Sequence, residues 1–474
     1  MKKFILCCLF TVSSFGFGFA QSPADDLRRD PLKSFGSFYV YDFKEASVMT
    51  PAPEGYEPFY ISHFARHGAR YCTSEYGRLY DWLSKASAEG KLTDYGKEFF
   101  SRYEPFYQKV MHCSGNLTDL GKDQHRCIAK HIYSRFPEVF EGKTHIEAVS
   151  TESPRVIMSM WSCLSQLASL DDDLDISADA SSKYAPWLQP TLSTNPYYIK
   201  GLMDAGKIAN EAIKEYYDSV VPCREIIEKF FVSMDVLENY LKTTPEKFIA
   251  SLCGVVGGTH CLDGFQDCFH DVFTPEQLLG IWKGSSARFF LEVADYEGSE
   301  CLMYDYAAFT LEQIIESAES DIASGGTQLR MRFGHDSGLS PLLAFMNING
   351  YGRSARSFDE AIEIFPNYNV PMGASLQLIF YKNQSGDILV KALHNEKEAV
   401  LPFEAACGPY YRWEDFKAHY APRISSSKSK IEIIVAQHEG LAALKTVDWG
   451  WTNVGKSKAA AEGWHEALNL DGGA

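Results

Sequence analysis

Apolar and polar residues alternate in several short runs of this chain, a pattern that is typical of β-strands. The run from Phe59 to Arg66 shows the alternation most clearly. Five further runs have strand character: His145–Val149, Thr327–Phe333, Leu376–Tyr381, Ile388–Leu393 and Ile431–Val435. Because segments with helical periodicity separate many of these runs, the pattern indicates an α/β fold.

Several helices are predicted close to these strands. An apolar stripe from Leu120 to Ile132 predicts a helix that carries His125 and His131 on its surface. Pro154 is expected to begin another helix, and the pair Ser340-Pro341 to cap and begin a third.

Residues 164–318 differ from the rest of the chain, because helical pattern and aromatic residues dominate there and strand alternation is scarce. The clearest helices in this stretch are Glu225–Leu241 and Pro275–Lys283. We therefore expect a mostly helical cap domain that is inserted into an α/β core formed by residues 21–163 and 319–474.

The first 20 residues have the pattern of a signal peptide. Lys2 and Lys3 precede an apolar stretch from Phe4 to Phe19, and the small residue Ala20 stands before the expected cut. No later apolar run is long enough to cross a bilayer, so no membrane span is expected in the mature chain. We expect an exported protein, either periplasmic or secreted.

The charge of the chain limits its partners. The formal net charge is −17, and loss of Lys2 and Lys3 would lower it by two, to −19. Such a surface repels nucleic acid and anionic lipid, so neither is an expected partner. The negative surface would also repel a small anionic substrate, so such a substrate would need a local basic pocket. Salt screens charges that are more than roughly 8–10 Å apart, which allows a local pocket to attract the anion.

Twelve cysteines are present, and ten remain after removal of Cys7 and Cys8 with the signal peptide. An even number in an exported protein suggests disulfides. Cys253, Cys261 and Cys268 are closely spaced, so we expect at least one local bridge there.

The candidate chemistry begins where the first strand ends, at Arg66-His67-Gly68-Ala69-Arg70. A guanidinium group can donate two parallel hydrogen bonds to the oxygens of a phosphate or carboxylate, and a neutral imidazole can attack phosphorus. Alone, the pentapeptide also fits a strand end with solvated side chains.

His63 and His67 have the spacing of a helical zinc site, but four strand residues span about 13 Å, so no metal site is predicted. His63 is expected to be a hydrogen-bonded core histidine.

Two other predicted strands end in loops that suit an anion. The His145–Val149 run leads to Arg155, just inside a helix N-terminus whose free N–H groups favour negative charge. The Thr327–Phe333 run leads to His335 and Asp336. Phosphomonoester cleavage needs charge neutralisation, an in-line nucleophile and a proton for the leaving group, and each need has a candidate here.

These motifs resemble the histidine acid phosphatases, the branch of the histidine phosphatase superfamily that includes bacterial phytases and multiple inositol polyphosphate phosphatases. The resemblance rests on Arg66–Arg70, on Leu-Thr-x-x-Gly-x-x-Gln at Leu117–Gln124, on Ser-Thr-x-x-x-Arg ending at Arg155, and on His335-Asp336. It implies a phosphoglycerate-mutase-like mixed sheet flanked by helices, with an inserted helical cap.

The resemblance also implies roles for individual residues. His67 would be the nucleophile and form a phosphohistidine, while Asp336 would protonate the leaving group. The phosphate would be held by Arg66, Arg70, Arg155 and His335. Neither a metal nor another cofactor is then expected. Flanking arginines would disfavour protonation of His67 and keep it nucleophilic.

The chain departs from the family pattern at two positions. Cys72 stands where the family usually has a proline, and the second motif reads His335-Asp336-Ser337, whereas the inositol polyphosphate phosphatases typically have His-Ala-Glu. The expected function is hydrolysis of phosphate esters, foremost inositol polyphosphates such as phytate. The alternatives are a broad-specificity acid or sugar-phosphate phosphatase and a non-catalytic phosphate-ester binding protein. A cofactor-independent mutase is disfavoured by export.

Overall fold

A computed structural model describes residues 22–44, 46–189, 212–266, 268–299 and 302–437. The predicted signal peptide at residues 1–20 lies outside the described residues. Among the residues that are described, no helix is long and apolar enough to cross a membrane.

A mixed eight-stranded sheet forms the centre of the structure. Its strands are β1 (Glu57–Arg66), β2 (His145–Ser150), β3 (Asp175–Ala180), β4 (Leu329–Gly334), β5 (Ser375–Lys382), β6 (Ile388–His394), β7 (Lys397–Glu398) and β8 (Tyr411–Arg412). The order across the sheet is β3-β2-β4-β1-β5-β6-β7, and β8 pairs with β6. The strands β3, β2, β4 and β1 are parallel, whereas β5 to β8 pair antiparallel to their neighbours. The predicted mixed sheet flanked by helices is confirmed.

Fourteen helices surround the sheet in the described part of the chain. They are α1 (Pro23–Arg29), α2 (Glu75–Ala88), α3 (Asp94–Val110), α4 (Asp119–Arg135), α5 (Pro154–Leu170), α6 (Ala185–Leu188), α7 (described over residues 212–220), α8 (Cys223–Phe230), α9 (Pro245–Thr259), α10 (Pro275–Val293), α11 (Leu302–Ser324), α12 (Asp336–Phe345), α13 (Phe358–Ile364) and α14 (Trp413–Gln437). Short 3-10 turns occur at Pro31–Phe38, Met111–Cys113, Pro137–Phe140, Ser182–Tyr184, Ile348–Gly350 and Asn367–Asn369, and a π-helical turn at Val236–Tyr240.

Apolar side chains cover the sheet on both faces. From β1, Ile61 and Ala65 pack on one face with α4 and α5, whereas Tyr60 and Phe64 pack on the other with α11, α12 and α14. A separate cluster joins α2, α3, α8 and α9. The alternation predicted for this strand is therefore real, although both of its faces are buried rather than one.

Five of the six predicted strands are confirmed to within a residue or two, but the sixth is wrong. Residues 431–435 belong to the helix α14, whose Ile424 and Ile431 are buried. A short apolar run does not distinguish a strand from a buried helix, and packing of α14 against α11 decides the outcome here.

Two helix predictions also need correction. The predicted helix Glu225–Leu241 is interrupted, because α8 ends at Phe230 and a π-helical turn follows only at Val236–Tyr240. The helix expected to begin at Ser340-Pro341 begins earlier, at Asp336, and Pro341 lies inside it. This earlier start places the predicted site residues at a helix N-terminus.

The division into core and cap stays a prediction. Residues 164–318 contain the helices α6 to α10, and they also contain β3, which pairs with β2 at the edge of the central sheet. The helix α5 crosses residue 164 and α11 crosses residue 318, so neither predicted boundary coincides with a loop.

The nine cysteines within the described ranges are all free thiols. The local bridge expected among Cys253, Cys261 and Cys268 is therefore not formed in this structure. Cys72 is buried, and its Sγ donates a hydrogen bond to the Gly254 carbonyl at 3.2 Å.

The loop after β1 lies against the first turn of α4 at two glycines, which generates a prediction about stability. A Cβ atom added to Gly121 would lie 2.2 Å from the Ala69 carbonyl oxygen. We expect Gly121→Ala to lower the free energy of unfolding by about 1–3 kcal/mol, because the backbone would have to move. Urea denaturation measures this change.

The matched control is Gly77→Ala in α2, where the nearest atom to the added Cβ is the Tyr107 hydroxyl at 3.9 Å. It should raise stability by up to about 1 kcal/mol, since alanine favours a helix more than glycine does. Equal effects of the two substitutions would contradict the close approach of loop and helix.

Candidate active site

The parallel strands bring the predicted site residues to one edge of the sheet. Arg66 ends β1 and is paired in register with Gly334 at the end of β4, while Ser150 ends β2 opposite Phe333. Since the strands run in the same direction, the three loops that follow them emerge side by side. The His67 N–H donates to the Gly334 carbonyl at 3.0 Å and fixes the first loop against the third.

His67 lies at the centre of this edge and is 2% exposed. Its ring centroid is 5.5 Å from that of His335. The Nδ1 atom of His67 is 2.8 Å from the Gly68 carbonyl oxygen, and because a carbonyl only accepts, Nδ1 carries the hydrogen. The lone pair of the neutral ring is therefore on Nε2.

The surroundings keep this imidazole neutral. Burial lowers the pKa of His67 well below its usual value, and the positive charges of Arg66, Arg155 and Arg70, together with His335, lower it further. The shift agrees with the expectation from the flanking arginines, and burial is its largest cause.

Arg66 is the most buried of the three arginines, with 1% exposure. One terminal nitrogen donates to the carbonyls of Ser37 and Val370, both at 2.8 Å, and the other lies 2.9 Å from the Asp336 carboxylate. Burial lowers the pKa of Arg66, and the Asp336 charge opposes that shift.

Each of the three arginines near His67 has an N–H donor that no group of the described protein accepts. In the described part of the chain, the buried Nε atoms of Arg66, Arg70 and Arg155 have no hydrogen-bond partner. Burial and the neighbouring Arg70 lower the pKa of Arg155 to about 10. Buried N–H donors without acceptors are unfavourable, so three of them on arginines whose charges act on His67 favour an anion at this site.

His335 and Asp336 lie at the junction between β4 and α12. His335 is the N-cap residue, with Nε2 at 3.2 Å from the Thr151 hydroxyl and Nδ1 at 3.4 Å from an Arg155 nitrogen. Burial would raise the pKa of Asp336, but the charges of Arg66, His335 and Arg70 outweigh burial and lower it. Its side chain is 38% exposed and lies 2.9 Å from Arg66, whose charge favours the ionised carboxylate.

Gln124 holds the His67 loop in place from α4. Its fully buried amide accepts a hydrogen bond from the Ala69 N–H at 2.7 Å and donates one to the Met372 carbonyl at 2.8 Å. Ser159 acts similarly from α5, since its hydroxyl accepts from the Gly68 N–H and donates to the Arg155 carbonyl. The loop is thus fixed independently of any ligand.

The segment around Pro31–Phe38 also contacts the site, although no motif in the sequence predicted this. The Ser37 carbonyl binds Arg66, and the Phe38 ring lies 5.4 Å from the Arg70 guanidinium carbon, which is a cation–π distance. These residues are far from the motifs in sequence. The only available signal was a group of aromatic residues in an otherwise polar stretch.

Two histidines behind the site are placed differently from the expectation. His63 is buried as predicted, but it makes no hydrogen bond among the described residues. His125 is fully buried rather than on the helix surface, and its ring packs against that of Phe333. Burial lowers the pKa of His63 to about 3 and that of His125 to about 4, so both are neutral. His131 is partly buried and pairs with Glu396.

A cleft of about 370 Å³ opens beside Asp336. Its walls come from the Pro31–Phe38 segment and from α7, α9, α10 and α12. Among the described residues, one group of side chains is close enough to bind a metal ion, Asp171 with Asp172 and Asp173. This group precedes β3, at the opposite edge of the sheet from His67.

Comparison with known proteins is consistent with this geometry. The family model of the histidine phosphatase superfamily, branch 2, matches residues 63–196, the segment that contains His67 and Arg155. The predicted resemblance to the histidine phosphatases is confirmed. No curated protein matches the chain in sequence.

Solved structures of an inositol polyphosphate phosphatase and of a phytase share the fold. The multiple inositol polyphosphate phosphatase of Bifidobacterium longum, in complex with inositol hexasulfate, matches with a TM-score of 0.69 and 18% identity over 81% of this chain and 97% of that one. The phytase of D. castellii matches with a TM-score of 0.62 and 15% identity over 87% and 90%.

The double hydrogen bond of Gln124 generates a second prediction. Gln124→Leu leaves the Ala69 N–H and the Met372 carbonyl buried and unpaired, so we expect stability to fall by about 2–6 kcal/mol. The same substitution at Gln166, whose amide bonds Ser169 on the exposed side of α5, should change stability by less than about 0.5 kcal/mol. Chemical denaturation of both variants measures the difference, and similar losses would show that Gln124 does not anchor the loop.

Proposed function

We propose that this chain hydrolyses phosphate monoesters through a phosphohistidine formed on His67. The observation that carries the proposal is the group of three buried arginine Nε donors, without partners in the described structure, around a neutral imidazole. A phosphate ester offers the oxygens that these donors lack, and the imidazole offers the nucleophile.

In the first step, the arginines and His335 hold the phosphoryl oxygens while the Nε2 lone pair of His67 forms a bond to phosphorus. The ester P–O bond breaks, and its electron pair goes to the leaving oxygen, which takes a proton from Asp336. In the second step, water attacks phosphorus and gives a proton to Asp336, and the N–P electron pair returns to Nε2. The arginines offset the developing charge.

Asp336 must be protonated to act in the first step, although its pKa is lowered in the free protein. A bound phosphate dianion offsets the arginine charges that cause this shift, and so raises the pKa of Asp336. The rate should therefore fall as the pH rises above the pKa of Asp336 in the complex.

For the substrate, we propose inositol polyphosphates such as phytate. The fold shared with an inositol polyphosphate phosphatase and a phytase, and a cleft beside Asp336, support this choice. A broad-specificity acid or sugar-phosphate phosphatase is the second candidate, because aromatic side chains such as Phe35 and Phe289 line much of that cleft. A binding protein without activity is disfavoured by the nucleophilic form of His67.

We also propose that the protein is exported, to the periplasm or outside the cell. The support is the charged and apolar pattern of residues 1–20.

The nucleophile can be tested directly. We expect His67→Ala to lower p-nitrophenyl phosphate hydrolysis by about a thousandfold or more, and rapid quenching of the wild type during turnover to give a phosphorylated peptide that contains His67. His112→Ala, at a 3-10 turn outside the site, is the control. A His67→Ala protein as active as the wild type would exclude this mechanism.

The acid can be tested with leaving groups of different strength. Asp336→Asn should slow hydrolysis of phytate, whose alkoxide needs a proton, by about 100-fold or more. The same variant should lower kcat/KM for p-nitrophenyl phosphate much less, because p-nitrophenolate leaves without protonation and kcat/KM does not include the second step, in which Asp336 accepts a proton from water. Equal losses on both substrates would contradict the proton-donating role.

A negligible wild-type rate on phytate, with p-nitrophenyl phosphate hydrolysed, would favour the broad-specificity phosphatase.

A further inference from the structure

The cleft beside Asp336 is mostly apolar but holds two charged side chains from α10. Phe35, Phe38 and Phe289 form much of its wall, and Arg288 and Glu292 line it together with Asp336. Asp336, the proposed acid, lines this cleft, so a leaving group that takes its proton would lie next to the cleft. The side chains of α10 would then contact the part of the substrate that does not react.

Arg288 and Glu292 are four residues apart, so they project from the same face of α10. One Arg288 nitrogen lies 3.1 Å from a Glu246 oxygen, and the Arg288 side chain is 44% exposed. Because a guanidinium has five N–H donors, Arg288 can keep this contact and also bind an anion.

Glu292 adds a carboxyl group to the same space. Burial by the surrounding protein raises its pKa, Arg288 opposes that shift, and the charge of Asp336 adds to it. The other titratable residues that line the cleft are Tyr217 of α7 and Cys253 of α9, while the Pro31–Phe38 segment contributes only serine and phenylalanine side chains. Above its pKa, Glu292 therefore places a second negative charge near Asp336.

We propose that Arg288 and Glu292 select the leaving group, so that the site prefers polyols that carry a second phosphate and free hydroxyls over fully phosphorylated ones. Arg288 binds the second phosphate. Glu292 accepts hydrogen bonds from hydroxyl groups and repels a phosphate in the same position. The inference rests on the proposed phosphatase function and narrows its substrate class, because among inositol polyphosphates it places partly phosphorylated ones ahead of phytate.

Arg288 and Glu292 together match a substrate that has one phosphate near the guanidinium group and free hydroxyl groups near the carboxylate. A fully phosphorylated inositol ring would place a phosphate against Glu292, which is unfavourable while the carboxyl group is ionised. When Glu292 is protonated, the repulsion disappears. Discrimination against phytate should therefore become stronger as the pH rises through the pKa of Glu292.

The test compares kcat/KM for an inositol bisphosphate, phytate and p-nitrophenyl phosphate at pH 5 and pH 7, using the full-length protein. We expect Glu292→Gln to raise the ratio of phytate to bisphosphate about tenfold at pH 7 and to make that ratio nearly independent of pH. The ratio of phytate to bisphosphate removes the titration of Asp336, because the leaving alkoxides of both substrates need its proton.

Arg288→Gln should lower the ratio of bisphosphate to p-nitrophenyl phosphate about tenfold, whereas Arg288→Lys should retain most of it. Arg224→Gln is the matched control, since Arg224 is 76% exposed, pairs with Glu228 on α8 and does not line the cleft. Both residues are exposed to the solvent of the cleft, although neighbouring protein partly desolvates the Glu292 carboxyl group, and neither belongs to the packed core. Circular dichroism verifies that the variants fold.

The outcomes separate this inference from the proposed function. Ratios that change by less than twofold in Glu292→Gln and Arg288→Gln, in a protein that hydrolyses the substrates, would overturn the selection and leave the phosphatase intact. A wild type that hydrolyses none of the three substrates would overturn the phosphatase function itself. Binding of inositol hexasulfate, measured by calorimetry, adds a readout without turnover: Glu292→Gln should bind it several-fold more tightly at pH 7.

Discussion

The site depends on positive charge that the fold holds inside the protein at one edge of the sheet. A buried guanidinium is costly unless its charge and its N–H groups are compensated. Arg66 meets much of this requirement through two backbone carbonyls and the Asp336 carboxylate, but its Nε–H has no acceptor in the described structure. Arg70 and Arg155 leave the same kind of group unpaired. An oxyanion would supply hydrogen-bond acceptors for these N–H donors. The positive charges of the same arginines help to keep His67 neutral.

Much of this arrangement could be predicted from local patterns. Alternation identified β1, β2 and β4, and parallel neighbours necessarily present their loops at a common edge, so Arg66, Arg155 and His335 were expected together. The errors occurred where a distant partner decides the outcome. The helix α14 replaced a predicted strand because it packs on α11, and His125 is buried because its helix lies against the sheet.

The start of α12 also escaped prediction, and it changes the chemistry. Proline favours the first turn of a helix, which pointed to Pro341, but α12 begins at Asp336 and accommodates the proline near its second turn. The Asp336 carboxylate therefore accepts the N–H of Ser337 at 2.9 Å, within the positive end of the helix dipole. Cys72, the other departure from the family pattern, is explained by packing, because its sulfur fits against the helix α9 at Gly254 and Gly258.

The contacts of Arg66 connect distant parts of the chain. Its guanidinium joins the carbonyl of Ser37 to that of Val370, so one side chain bridges residues near the two ends of the described sequence. During synthesis, residue 37 leaves the ribosome long before residue 370 exists. The arginine cluster therefore cannot assemble cotranslationally from the N-terminal half alone, and a nascent chain released early would lack part of the contacts that hold Arg66 even though it already contains His67.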